Sequence, residues 1–237
     1  MIMNDDNTSP KIHLTGRDRD IIEHVVRDRI TTNEVIQSRY FDESHASAVT
    51  RATARLCAAD WLSAFPLLYP TKYFIPGKLT ASAYGLPIGR TYPLGPQALP
   101  REFAVLTYTA ANSPNVFRLN SQEILLSAPW YQAEWMQAPH CQRENEGKLV
   151  LELIRVDLGG PADLIARKCR KDIEARRKLP VFTEMVAEGR FGMVVITGST
   201  AKAAAIQVAL NQHRWPTNLQ FRLAVFVSLI PLLPRSL

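Results

Sequence analysis

The 237-residue chain has few cysteines, no long apolar run and no acidic residue between Glu43 and Asp60, and each shortage excludes something. Three cysteines (Cys57, Cys141, Cys169) are an odd number without CxxC spacing, which excludes a disulfide framework and fits a reducing cytosol. The longest apolar stretch, Leu223 to Leu233, is interrupted by Ser228 and Pro231 and is too short to span a bilayer. The first residues carry neither the basic nor the apolar region of a signal peptide, so a cytoplasmic protein without membrane partners is expected. No two histidines have zinc spacing, and no Gly-x-Ser-x-Gly elbow occurs. Thr197-Gly-Ser-Thr-Ala-Lys202 lacks the Walker spacing, and a turn at Gly198 with Ser199 or Thr200 as N-cap accounts for it. The expectation is a protein with no catalytic residue, no metal and no cofactor.

Net charge is +6, which suits a polyanionic partner. It is unevenly placed: residues 1–100 hold 11 Lys+Arg against 10 Asp+Glu, and residues 101–237 hold 17 against 12. A nucleic-acid site in the first hundred residues must therefore depend on local clustering.

Residues 1–12 are polar and aperiodic and read as a flexible tail. Thr15-Gly-Arg-Asp18 starts a helix carrying Ile21, Ile22, Val25 and Val26 at helical spacing. Thr31-Thr-Asn-Glu34 reads as a second capping box, followed by Val35, Ile36, Tyr40 and Phe41 on one face. Asp42 or Ser44 can cap a third helix whose buried stripe is Val49, Ala52, Leu56 and Ala59. Trp61 to Pro76, aromatic and broken by three prolines, reads as an edge hairpin, and Thr80 to Gly85 as a brief helix. Three helices and a hairpin make residues 13–86 a winged helix-turn-helix. Four prolines and two glycines mark 87–100 as a linker.

Beyond it, Phe103 to Thr109 and Lys148 to Val156 read as strands, Ala162 to Leu179 as a charged helix, and Phe191 to Thr197 as a buried strand. Thr200 to Gln212 reads as a helix and Phe221 to Ile230 as a closing strand. Between 110 and 147 only a helix near Ser121 to Leu126 is legible. Alternation of strands and helices implies an α/β domain over 101–237, giving an α+β chain overall.

The third helix supplies Ser44, His45, Ser47, Thr50, Arg51 and Arg55 for the major groove, where arginine reads guanine and hydroxyls tolerate several bases. Lys72 and Tyr73 of the hairpin are candidates for phosphate or minor-groove contact, while Phe74 is expected in the core. The run Arg167, Lys168, Arg170, Lys171 surrounds an apolar stripe of Ile165, Cys169 and Ile173 and presents a basic face that can follow a DNA backbone. Glu152 and Asp157 with Lys168 are the residues available to a metal-dependent nuclease, although Arg155 sits where a second acid would help.

Leu14-Thr-Gly-Arg-Asp18, Thr31-Thr, the closing Tyr73-Phe-Ile-Pro76 and Ala81-x-x-Tyr84-Gly85 together resemble the replication-relaxation family of bacterial plasmids and integrative elements. The resemblance implies a winged helix followed by an α/β domain related in outline to restriction-endonuclease-like folds. It extends to Leu153-Ile-Arg-Val-Asp-Leu-Gly159, Lys168 and Gly192-Met-Val-Val-Ile-Thr197. Two positions depart from it: His140 follows Pro139 where the family tends to have Asp, and Arg155 stands for a glutamate. The implied function is sequence-specific binding of double-stranded DNA in plasmid or mobile-element replication, transfer or transcription control. The second domain would serve homodimerisation or recruitment of a replication or transfer partner. The rivals are an active nuclease and a winged-helix protein-interaction module.

Overall fold

Helix α1 (Gly16–Asp28) starts where its sequence demands: the Thr15 side chain accepts the Asp18 N–H, and the Asp18 carboxylate accepts the Thr15 N–H at 2.9 Å. This reciprocal pair satisfies two donors that a helix start leaves open. A two-residue strand, β1 (Thr31–Thr32), precedes α2 (Asn33–Tyr40). The N-cap of α2 is Thr32 and not Thr31, because Thr31 is committed to β1, opposite Phe74, with its hydroxyl against His24 Nε2 at 2.9 Å. The computed structural model describes residues 13–41, 45–145 and 147–233. The expected tail and the proposed caps Asp42 and Ser44 lie outside the described residues. Helix α3 (Ala46–Ala58) begins after His45, which makes no side-chain cap bond.

Strands β2 (Leu62–Leu68) and β3 (Thr71–Pro76) form the expected antiparallel hairpin, and β1 adds to β3 in the order β1-β3-β2. The register slips between Pro66 and Leu68, where a proline without an N–H interrupts the ladder. Helix α4 (Lys78–Ala83) follows immediately, and the chain leaves it through Gly85 at φ +62°. Gly77, between β3 and α4, allows a close approach: a Cβ there would lie 2.2 Å from the Asp60 carbonyl oxygen. Ile21, Ile22, Val25, Ile36, Val49, Leu56, Leu62 and Phe74 form the core of this unit.

The chain divides into two compact units after Leu94. The first part of the expected linker therefore belongs to the first unit. Residues 88–91 make a 3-10 turn, Arg90 Nη2 donates to the Val26 carbonyl at 3.0 Å, and the Leu94 N–H donates to the Tyr73 hydroxyl at 3.0 Å.

The second unit contains α5 (Ala98–Ala111), β4 (Val116–Arg118), α6 (Ser121–Ser127), β5 (His140–Asn145), β6 (Lys148–Val156), α7 (Ala162–Arg176), α8 (Pro180–Ala187), β7 (Phe191–Thr197), α9 (Thr200–Asn211) and β8 (Gln220–Val225). Its sheet runs in chain order, β4-β5-β6-β7-β8, antiparallel through β6 and parallel from β6 to β8. The parallel links each carry helices, as such crossovers require. All of β7 is buried, in keeping with a central parallel strand covered on both faces. On one face Leu151, Leu153, Met193 and Val195 pack with α7, α8 and α9, and on the other Ile154, Val194 and Ile196 pack with α5 and Leu229.

Three expectations change here. Phe103 to Thr109 is helical: its β-branched residues suggest a strand, but burial of Ala104, Val105 and Tyr108 follows one side of α5, and Pro100 is tolerated in its first turn. The helix expected to Leu179 stops at Arg176, and Pro180 opens α8. The closing strand ends at Val225 and becomes a 3-10 turn over Val227–Leu232. The result is a mixed α+β protein with two sheets. Among the described residues, no helix is long and apolar enough to cross a membrane.

Candidate nucleic-acid interface

Helix α3 buries Val49, Thr53 and Leu56 and exposes Ser47, Thr50, Arg51, Ala54, Arg55 and Ala58 along the opposite side. That outer face carries no carboxylate. The Thr50 hydroxyl donates back to the Ala46 carbonyl at 3.2 Å, and Arg51 Nε donates to the Ser47 carbonyl at 3.3 Å, engaging one of its five N–H donors. His45 is exposed at the start of the helix.

Arg55 behaves differently from Arg51. Its Nη2 meets Asp18 Oδ1 at 2.6 Å and Oδ2 at 2.8 Å. Burial alone would raise the Asp18 carboxyl pKa, but the Thr15 hydrogen bonds and the Arg55 guanidinium outweigh it and hold the carboxyl below its ordinary value. Arg55 is thus first a tie between α3 and α1, with 41% of its side chain still facing water.

The hairpin places Lys72 outward and Tyr73 inward. Tyr73 is 1% exposed, which removes it from the expected contact set: β3 is buried continuously from Tyr73 onward, the Tyr73 ring lies 5.8 Å from that of Phe65 and its hydroxyl accepts the Leu94 N–H. Phe74 is buried as expected. The exposed aromatic of the hairpin is instead Tyr69, at the turn between β2 and β3. A groove of about 470 Å³ runs between α3, the start of α2 and the hairpin, lined in part by Asn33, Thr50, Thr53, Cys57 and Lys72. Burial pushes the Cys57 thiol up to about 11, only partly offset by Lys72, so it is not a reactive thiolate at neutral pH. No disulfide joins the three cysteines.

On α7 the four basic candidates separate into two pairs. Arg167 meets Asp163 at 3.0 Å and Arg170 meets Glu174 at 3.6 Å, each one helical turn away. Lys168 and Lys171 lie on the adjacent face, exposed.

The nuclease candidates do not converge. Glu152 points to the α5 side of the sheet, where it accepts from the Tyr108 hydroxyl at 2.7 Å and Arg143 Nε at 2.7 Å, with Arg222 at 3.5 Å. Asp157 accepts from the Thr197 hydroxyl and the Gly159 N–H, both at 3.1 Å. Odd and even positions of a strand face opposite ways, so Arg155 and Asp157 stand across the sheet from Glu152. Among the described residues, no three His, Cys, Asp or Glu side chains are grouped to hold a metal ion. Arg155 grips Asp172 with two bonds, at 2.6 and 2.5 Å.

His140 lies in the interior at 1% exposure. Its Nδ1–H donates to the Ala138 carbonyl at 2.8 Å, so Nε2 accepts from the Tyr131 hydroxyl at 2.7 Å. The Tyr131 oxygen in turn accepts from Arg176 Nε and Nη2 at 3.0 and 2.7 Å. Burial, followed by the nearby Arg176 charge, lowers His140 to about 3, so the imidazole is neutral at ordinary pH. Asp28, His24 and Thr31 also line up, with His24 Nδ1 2.8 Å from Asp28. All three are buried, Thr31 at 0%, and they pin α1 to β1 without offering a reachable nucleophile.

The Thr197 to Lys202 turn behaves as expected. Ser199 caps α9 by accepting the Lys202 N–H, and a Cβ on Gly198 would lie 2.8 Å from Ile230. Lys202 Nζ donates to the Gly160 carbonyl at 2.5 Å.

Compared with known protein families, curated proteins and solved structures, the chain matches none.

Proposed function

We propose that the protein binds double-stranded DNA sequence-specifically, with residues 13–86 acting as a winged helix-turn-helix and α3 entering the major groove. The observation that carries this reading is the outer face of α3, where Ser47, Thr50, Arg51 and Ala54 are exposed without a carboxylate among them. Small side chains let the helix approach the base edges, alanine and threonine suit the thymine methyl, and Arg51 has the reach for guanine. Lys72 and the hairpin-tip Tyr69 flank this face as backbone contacts. Arg55 serves the interface mainly by fixing α3 on α1.

The setting follows from the resemblance to replication-relaxation proteins: replication, transfer or transcription control of a plasmid or mobile element, in the cytoplasm. In this reading the second unit is a nuclease-like domain that has lost its acids and serves dimerisation or partner recruitment. Two features support it: Arg155 is bound to Asp172, and among the described residues β8 is an edge strand of its sheet.

A salt titration of duplex binding with wild type and Arg51→Ala, with magnesium present and cleavage monitored, tests the proposal. Salt-sensitive binding, about 1–3 kcal/mol weaker on the preferred site in the variant, supports a base reader. Absence of binding at low salt overturns it in favour of a protein-interaction module, and cleavage abolished by EDTA favours the nuclease.

A further inference from the structure

The face of α7 that carries Lys168 and Lys171 is the wall of a cleft of about 680 Å³ within the second unit. Arg101, Arg155 and the buried Arg176 also line it, against two carboxylates, Asp172 and Glu134. The cations are not equivalent. Asp172 is taken by Arg155 and lies 4.0 Å from Arg176, and Arg101 pairs with Glu102 at 3.1 Å. Among the described residues, Lys168 and Lys171 have no carboxylate partner, although the next face of the same helix matches each arginine with an acid one turn away. Along α7, charge is matched at Arg167 and Arg170 and left over at the two lysines that line the cleft.

We propose that this cleft binds a phosphate ester of nucleotide size. Lys168 and Lys171, three residues apart and therefore side by side on the helix, supply two mobile positive charges for a phosphate dianion. Arg155 is held in place by its two bonds to Asp172, so its remaining donors are presented rigidly. The volume lies within the range of about 300–1,000 Å³ usual for small-ligand sites and exceeds what inorganic phosphate alone needs. Trp135, half-buried in the wall, offers aromatic surface for the organic part of the ester. The site does not depend on the DNA reading of α3. Its ligand is either a free nucleotide or the phosphorylated end of a single strand, which share this chemistry.

The test is titration calorimetry at low salt on the full chain carrying Arg51→Ala, which keeps the α3 face out of the readout. The probes are adenosine monophosphate, adenosine and a 5′-phosphorylated eight-nucleotide single strand. Expected is binding of the monophosphate but not of adenosine, weakened at least about tenfold by Lys168→Gln/Lys171→Gln and unchanged by Arg167→Gln/Arg170→Gln. All four positions are exposed, and melting curves verify that both variants fold. Similar affinity for mononucleotide and single strand assigns a free ester, and much tighter binding of the strand assigns a nucleic-acid end. The proposal is overturned if neither phosphorylated probe binds, if adenosine binds as well as its phosphate, or if the arginine pair matters as much as the lysine pair.

Discussion

Arg55 reaches both carboxylate oxygens of Asp18 across 37 residues of chain, at 2.6 and 2.8 Å, and so fastens the last turns of α3 to the first turn of α1. The same carboxylate closes the capping box with Thr15. One side chain thus sets both where α1 begins and how α3 is oriented on it.

Removing Arg55 leaves a buried carboxylate short of its partner. Arg55→Ala should lower the stability of the first unit by about 1–2 kcal/mol, a figure discounted for the arginine's exposure. Urea denaturation checks this, and Arg51→Ala, lacking such a tie, should leave the midpoint unchanged. Because the Asp18 carboxyl is held below its ordinary 3.8, its stabilisation is present above that pH and disappears as pH falls through the lower folded-state value. Asp18→Asn should flatten the acid limb of a melting-temperature profile.

His140 works in a higher window. Its pKa falls from 6.5 to about 3, so the unfolded chain takes up a proton that the folded chain refuses. Stability from this source is complete above about pH 6.5 and declines by up to about 1.4 kcal/mol per pH unit down to about pH 3. Measured stability of the second unit between pH 7 and 4 should decline in wild type, and His140→Gln should decline less steeply. Parallel profiles would contradict the assignment.

Gly77 tolerates no side chain. A Cβ 2.2 Å from the Asp60 carbonyl oxygen forces the backbone itself to move, so Gly77→Ala should cost about 3 kcal/mol or more. Gly89, with nothing within 4 Å of its Cβ position, is the control: Gly89→Ala should be neutral or slightly stabilising by thermal melting.

The two hairpin tyrosines should separate stability from binding. Tyr73→Phe deletes the acceptor for the Leu94 N–H and should cost about 1 kcal/mol without altering relative affinity for DNA sequences. Tyr69→Ala should leave stability within about 0.5 kcal/mol and weaken duplex binding on all sequences alike. The reverse pattern would remove the hairpin tip from the interface.

Local signals were the most legible. The Thr15 box, the hairpin between Trp61 and Pro76, β6, β7 and the start of α9 all follow from short-range capping, proline placement or alternation. Long-range partnerships were not legible. Nothing near Arg55 in sequence announces Asp18, and nothing near Lys168 shows that Asp172, one helical turn on, is taken instead by Arg155 from β6. Residues 98–111 misled because Val105, Thr107 and Thr109 favour strands intrinsically, yet packing of one side against β6 and β7 makes them helical. The strands β4 and β5 escaped notice because they are short, and β5 carries polar residues at Gln142, Arg143 and Glu144.

The chain-order sheet also has a kinetic side. Strands β5 and β6 are adjacent in sequence and pair from Asn145↔Lys148 outward, so this half of the sheet can zip up locally. The parallel half must wait for α7, α8 and α9 to close two long loops. Until β8 docks, β7, buried along its whole length in the finished sheet, carries a bare edge, open to any other unpaired strand nearby. The slowest strand to arrive therefore guards the stickiest one, and aggregation during refolding should be governed by the closure of β8.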